Sequence, residues 1–362
     1  MDQSTLHDWV TCGRLKSGLT TDMLNIIEQI PDGLLDAEAT ELETLLGAPT
    51  LLHLSGRQPQ PLFVSVLLHG NEDTGFYAVR RLLDKYQGRE LPRALSIFFG
   101  NVAAAAQGRR RLDGQPDYNR TWPGTEQPEC AEQAMLREVV QQMEARRVFA
   151  AIDVHNNTGL NPHYACVNRI DHRYFHLATL FSRTLVYFTR PRGVASLAFA
   201  PLCPSVTVEC GRPGQAHGVD HAMEFIEAAL HLSEIPVHPV APHDIDLFHT
   251  VVTVKVPGEI EFGFGRPGAV LDFLPDIDHM NFRELPEGTE LARVNGVDGE
   301  LLEARDERGL NVWNDYFYIE DGMLRLRRPV MPSMLTLDER IVRQDCLCYL
   351  MERYELVPPE PG

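Results

Sequence analysis

The sequence contains no Cys-x-x-Cys pair. Its seven cysteines, Cys12, Cys130, Cys166, Cys203, Cys210, Cys346 and Cys348, are scattered and odd in number, which speaks against both a zinc knuckle and a disulfide framework. Basic charge is also scarce: 33 Lys and Arg stand against 51 Asp and Glu, for a net charge of -18. Phosphate backbones and anionic membrane surfaces are repelled by such a field, so neither nucleic acid nor a membrane is expected as a partner. No uncharged apolar run reaches the roughly 18 residues of a membrane span. The start, MDQSTLHDWV, has no basic stretch followed by a long apolar core, so no secretory signal is expected and a reducing cytoplasm is the default location. A Gly-x-Ser-x-Gly elbow is missing, which disfavours a serine hydrolase. There is no internal repeat and no low-complexity tract.

What is present is an ordinary globular composition, 44% hydrophobic and 23% charged, over 362 residues. That length suits one large domain with a smaller companion. Residues 1–60 read as an accessory segment, with a short helical pattern in TDMLNIIEQI and a strand in APTLLHLSG. From 61 to 245, strands such as LFVSVLLH, LSIFFGN, FAAIDVHNN, LVYFTR and SVTVEC alternate with helical patterns such as FYAVRRLLDKY and AEQAMLREVVQQMEARR. This predicts an α/β domain with a mixed, largely parallel central sheet and helices on both faces. From 246 to 362, short strand candidates separated by Gly, Pro and Asp turns predict a smaller β-rich C-terminal domain.

Three of the predicted strands end in polar groups: His69 and Glu72 in HGNE, His155 in DVHNNTG, and Glu209 in VTVECGRPG. In open α/β sheets, ligands gather at the carboxyl ends of strands. Two imidazoles and a carboxylate are a donor set for catalytic zinc, whose fourth position stays open to water. Each residue also has a plainer reading. His69 and Glu72 could cap the following helix, His155 could be a satisfied core histidine, and Glu209 could pair with an arginine. The loop GNVAAAAQGRRRLDGQPDYNR brings Arg109, Arg110, Arg111, Asn119 and Arg120 into an acidic protein. Guanidinium groups hold carboxylates bidentately and stabilise oxyanions, although a charge run is more often a solvated surface loop. His53, His163, His172, His176, His217 and His221 read as structural, with His163 the best placed to line a pocket, and Cys346 and Cys348 as strand packing.

Together these motifs resemble the aspartoacylase and succinylglutamate desuccinylase family, relatives of the zinc carboxypeptidases. The resemblance spans residues 61–215, where HGNE, the loop from Asn101 through Arg110 to DYNR, DVHNNTG and VECG occur in the family's order. It implies one Zn²⁺ per chain held by His69, Glu72 and His155, Glu209 as general base, and Arg110 as oxyanion donor. Asn119 and Arg120 would hold the substrate carboxylate, and a tyrosine of the C-terminal domain would reach the substrate, with Tyr316 the candidate and Tyr318 next. The implied partner is a small N-acyl amino acid. A short peptide, as for a carboxypeptidase, or a catalytically silent metal-binding homologue are the alternatives, and assembly into homo-oligomers is left open. The sequence departs from the family in three places: VAA follows Asn101 where proline is usual, the loop before DYNR is longer than the family's by about two residues, and VASLAFAPLCPSVTVE, before and including the base, has no arginine, Arg190 and Arg192 being nearest. The missing arginine points away from N-acylaspartate and succinylglutamate as preferred substrates.

Overall fold

The structure, a computed structural model, describes residues 23–296 and 299–356. The chain divides into two compact units, residues 1–153 with 191–203, and residues 154–190 with 204–362.

In the first unit, strands β1 (Asn25–Ile27), β2 (Thr50–Leu54), β3 (Gly56–Val66), β4 (Leu91–Phe99) and β5 (Ala150–His155, whose last two residues count with the second unit) lie in the order β1-β2-β4-β3-β5. Both neighbours of β3, β4 and β5, run parallel to it, while β2 runs antiparallel to β4. The apolar run of β3, Leu62 to Val66, is fully buried, as a strand covered on both faces must be. Helix α1 (Leu42–Leu46) precedes β2. Helix α2 (Thr74–Lys85) buries Phe76, Val79, Leu82 and Leu83, the face its periodicity predicts. Helix α3 (Val102–Ala105) follows β4, and α4 (Ala131–Ala145) buries Met135, Leu136, Val139 and Met143. Under the sheet, Phe63 stacks on Phe199 at 4.4 Å between centroids, and Trp122 meets Phe63, Phe98 and Phe199 edge-on. One expectation is overturned here. TDMLNIIEQI, whose first two residues lie outside the described part, is not helical: Asn25–Ile27 pair in parallel with Thr50–Leu52. Backbone pairing with a neighbouring strand overrides a weak helical period in so short a segment.

In the second unit, β6 (Tyr164–Val167), β7 (Thr184–Tyr187), β8 (Ser205–Glu209) and β9 (Asp246–Lys255) follow, with helices α5 (His172–Thr179) and α7 (Ala216–His231); α6 (Ala195–Phe199) belongs to the first unit. Their order is β8-β6-β7-β9, continued by β17 (Cys348–Arg353) and β16 (Met331–Ser333), and β13 (Glu303–Asp306) pairs with β9. A separate five-stranded sheet, β10 (Phe262–Phe264), β11 (Leu271–Phe273), β12 (Glu290–Val294), β15 (Met323–Leu326) and β14 (Phe317–Glu320), is antiparallel except for the β10–β11 pair. It buries Phe262, Phe273, Leu324 and Phe317. The fold is therefore mixed α/β, with a twelve-stranded sheet and a smaller second sheet. All six described cysteines are free and buried, the Cys346 and Cys348 pair among them. Among the described residues, no helix is long and apolar enough to cross a membrane.

Candidate active site

The site begins where β3 runs out. After Val66 the backbone turns through Leu67, held at φ 57°, a left-handed conformation that costs a branched side chain about 1–2 kcal/mol. The Leu67 carbonyl accepts from Asn101 N at 2.7 Å, which ties the end of β3 to the residue opening the arginine loop. His69 and Glu72 then close a turn, with Glu72 N donating to the His69 carbonyl at 3.1 Å. Gly70 fits against α3 because it has no side chain. A Cβ there would lie 2.2 Å from Ala105 N and 2.3 Å from the Ala104 carbonyl carbon. Gly70→Ala is accordingly expected to lose about 3 kcal/mol of stability, read as a lowered midpoint in urea unfolding. An unchanged midpoint would show that α3 yields without cost.

On the next strand, the β3–β5 register pairs Ser65 with Asp153, and Ser65 Oγ donates to Asp153 Oδ1 at 2.6 Å. His155 is two residues further on, the same face by strand alternation. One ligand atom from each of His69, Glu72 and His155 lies within 4.8 Å of the others, and all three residues are buried. Two neutral-capable imidazoles and a carboxylate are a donor set that fits zinc, and three protein ligands leave a coordination position for substrate or water.

The arginine loop closes on this turn. Of the three consecutive arginines only Arg110 faces inward: its Nη1 lies 3.4 Å from Glu72 Oε1 and its Nη2 3.2 Å from Asp117 Oδ2. Arg109 pairs with exposed Asp113, and Arg111 caps the Gln115 carbonyl. Asn101 holds the loop in place, donating to Gln115 Oε1 at 3.0 Å and capping Ala104 N at 3.1 Å. VAA in place of proline therefore still opens a capped helical turn.

Asp117 is the residue sequence reasoning left unassigned. It opens DYNR, and its Oδ1 lies 3.0 Å from His69 Nε2 while Glu72 Oε1 lies 2.8 Å from His69 Nδ1. Burial and the Arg110 charge press the His69 pKa down, but the carboxylates of Glu72 and Asp117 outweigh them and leave it above the ordinary imidazole value. Burial favours the neutral form of Asp117, yet His69, Arg110 and Arg120 hold its carboxyl well below the usual range. Asp117 also accepts from Asn119 N at 2.8 Å, so the same carboxylate shapes the turn Tyr118–Arg120 that carries Asn119 and Arg120. The available signal was chemical: a metal-binding histidine usually gives its second ring nitrogen to a carboxylate, and Asp117 was the acid inside a recognised motif.

Glu209 ends β8, 6% exposed. Cys210 N donates to the His155 carbonyl at 2.9 Å, and Asn157 Nδ2 donates to Glu209 Oε2 at 3.4 Å. The candidate base thus sits beside the end of the strand that supplies His155. His163 stacks on His217 and His221 and would lie 3.0 Å from a Cβ on Gly211, two residues past Glu209. Tyr316 is engaged elsewhere: its hydroxyl donates to Glu352 Oε1 at 3.4 Å, the Arg328 guanidinium lies 5.1 Å from its ring, and burial beside Glu352 pushes its pKa up to about 12. Arg190 donates to the Glu307 carbonyl and Arg192 pairs with Glu126.

Residues 60–222 match the family model described as the succinylglutamate desuccinylase/aspartoacylase catalytic domain. No curated protein matches the chain in sequence. Among solved structures, succinylglutamate desuccinylase from Vibrio parahaemolyticus is similar at a TM-score of 0.57 and 12% identity, covering 86% of this chain and 88% of that one. The enzyme of the same name from Chromobacterium violaceum gives 0.52 and 18%, covering 83% and 87%. Murine aminoacylase 3 gives 0.52 and 17%, covering 83% and 98%. At these identities the structures establish the shared fold, and the family model supplies the assignment. Residues 60–222 thus resemble in sequence the succinylglutamate desuccinylase/aspartoacylase catalytic domain, and the chain shares the fold of these solved structures.

Proposed function

We propose that the chain is a zinc-dependent deacylase that hydrolyses the amide bond of a small N-acyl amino acid. The observation that carries this reading is the buried His69–Glu72–His155 donor set, with Arg110 against Glu72 and Glu209 beside the end of the His155 strand. Those three ligands would hold one zinc ion, which when bound supplies a Lewis acid and lowers the pKa of water towards about 7. Glu209 takes the proton from the water as its oxygen bonds to the acyl carbon. It then delivers that proton to the nitrogen as the C–N bond breaks, releasing acid and free amine. Arg110 donates to the oxygen on which negative charge grows. Asn119 and Arg120, on one turn, hold the substrate's α-carboxylate by charge-assisted hydrogen bonds.

Residues 194–208 bear no arginine, and Arg190 and Arg192 are tied to Glu307 and Glu126. A second carboxylate on the substrate would find no guanidinium from this quarter, which favours acylated amino acids with neutral side chains. A screen of neutral and acidic N-acyl amino acids and of dipeptides, read as free amine released by the zinc-loaded protein, tests the reading. Turnover of N-acyl amino acids with neutral side chains is the expected result, and faster turnover of dipeptides would replace it with a carboxypeptidase.

Asp117 follows as a tuning residue. Holding His69 Nε2 would fix the ring and leave Nδ1, on the Glu72 side, as the nitrogen available to a metal. Asp117→Ala is expected to weaken zinc binding by about 10–100-fold, measured by competition with a chromophoric chelator. Unchanged affinity would remove Asp117 from the site.

A further inference from the structure

The loop after His155 and the segment after β16 are fastened together within the second unit. Thr158 Oγ1 bonds Thr336 Oγ1 at 2.8 Å, and a Cβ on Gly159 would fall 1.8 Å from the Leu335 carbonyl oxygen. Asn281 brackets Leu335, accepting from its N–H at 2.9 Å and donating to its carbonyl at 2.8 Å. Between these fastenings, Met334 is held at φ 66°. A long side chain rarely adopts that conformation, and such outliers persist where the surroundings impose them, often near functional sites. The consequence is local: the Met334 N–H points at Asn161 Oδ1, 3.0 Å away.

A backbone N–H can only donate, so it fixes which end of the Asn161 amide faces it. The Asn161 oxygen is turned to Met334, and its NH₂ must face the other way, where it donates to Asn157 Oδ1 at 3.3 Å. That fixes Asn157 in turn, and its NH₂ donates to Glu209 Oε2 at 3.4 Å. Asn157 is itself 6% exposed, and its backbone N–H is held by the Gly211 carbonyl at 3.1 Å. We propose that Asn157 is a positioning residue for Glu209, its amide aimed by a one-way hydrogen-bond relay that starts at the Met334 N–H and passes through Asn161. The relay engages Oε2 and so orients the carboxylate that exchanges protons with water and the leaving amine. This rests on the reading of Glu209 as the base.

The test uses Asn161→Asp in the zinc-loaded full chain, with the fastest N-acyl amino acid of the screen. The aspartate keeps an oxygen for Met334 but has no donor for Asn157, whose amide then turns its own oxygen towards Glu209. The expected result is a fall of about 10-fold in kcat, with KM and zinc content unchanged. Asn157→Ala removes the donor outright and should give the same loss should the first variant not fold. In a Glu209→Gln background, neither change should lower the residual rate further, because groups acting as a unit are not additive. Undiminished kcat in either variant, or the same 10-fold loss on top of Glu209→Gln, overturns the relay. Full activity of Glu209→Gln alone overturns the base reading itself, and the relay with it, a result distinct from the other two.

Discussion

Glu209→Gln is expected to keep one zinc ion per chain and to lose about a thousandfold or more in kcat. The substitution preserves volume at a 6% exposed position, and the Gln carbonyl oxygen can still accept from Asn157 Nδ2, so packing and the end of β8 stay in place. What disappears is the proton acceptor. General base catalysis is worth about 10²–10⁴-fold, and here the same carboxylate serves twice, taking a proton from water and giving one to the amine. The loss should therefore fall at the upper end of that range. Elemental analysis and single-turnover kinetics on the same preparation separate the two outcomes. A variant with full zinc and full turnover would place the base elsewhere, while one that has lost its zinc would show that Glu209 belongs to the ligand set.

The parts of this site that sequence made legible are those whose chemistry is written in adjacent residues. HGNE places an imidazole and a carboxylate three apart after an apolar run that reads as a buried strand, although β3 ends at Val66, three residues before His69, and not at His69 as read. The strand ends at His155 and Glu209 were legible for the same reason. Asp117 was not, because the partner of a histidine's second nitrogen is set by how a distant loop folds back, and 48 positions separate it from His69. Arg110 was singled out from Arg109 and Arg111 by the family resemblance alone; the physical reason, the loop's closure with Gly70 N donating to the Arg110 carbonyl at 3.1 Å, is not written in the local sequence. Strand β6 and the antiparallel direction of β6 against β8 were likewise unread, since four residues buried on both faces carry no period and no direction. In the C-terminal part, the strand stretches TVVTVKV and QDCLCYLMERYEL were legible as strands, but their pairing with each other is not. Pairing is decided by register and burial across about 100 residues of sequence, and no local propensity records it.

The second large effect is expected from His69→Ala, which should reduce bound zinc from one ion per chain to a small fraction of that. Two remaining donors, one from the turn after β3 and one from the end of β5, do not make the three-residue set that a catalytic zinc site requires. The electrostatics add to the loss. His69 lies between Glu72 and Asp117, with Arg110 reaching both carboxylates. Without the imidazole, Arg110 still reaches both carboxylates and competes with the ion for the Glu72 oxygens. Removing a buried hydrogen-bonding group that two carboxylates face also costs folding stability, by about 1–3 kcal/mol. Zinc content should therefore be measured on protein shown to be folded by circular dichroism. The comparison with Asp117→Ala makes the result specific. Loss of a ligand should abolish binding, whereas loss of the group that orients it should leave a weakened site that refills at higher zinc concentration. If both variants bind one zinc ion as tightly as the parent chain, the ion is held elsewhere and the hydrolytic reading of this strand edge falls.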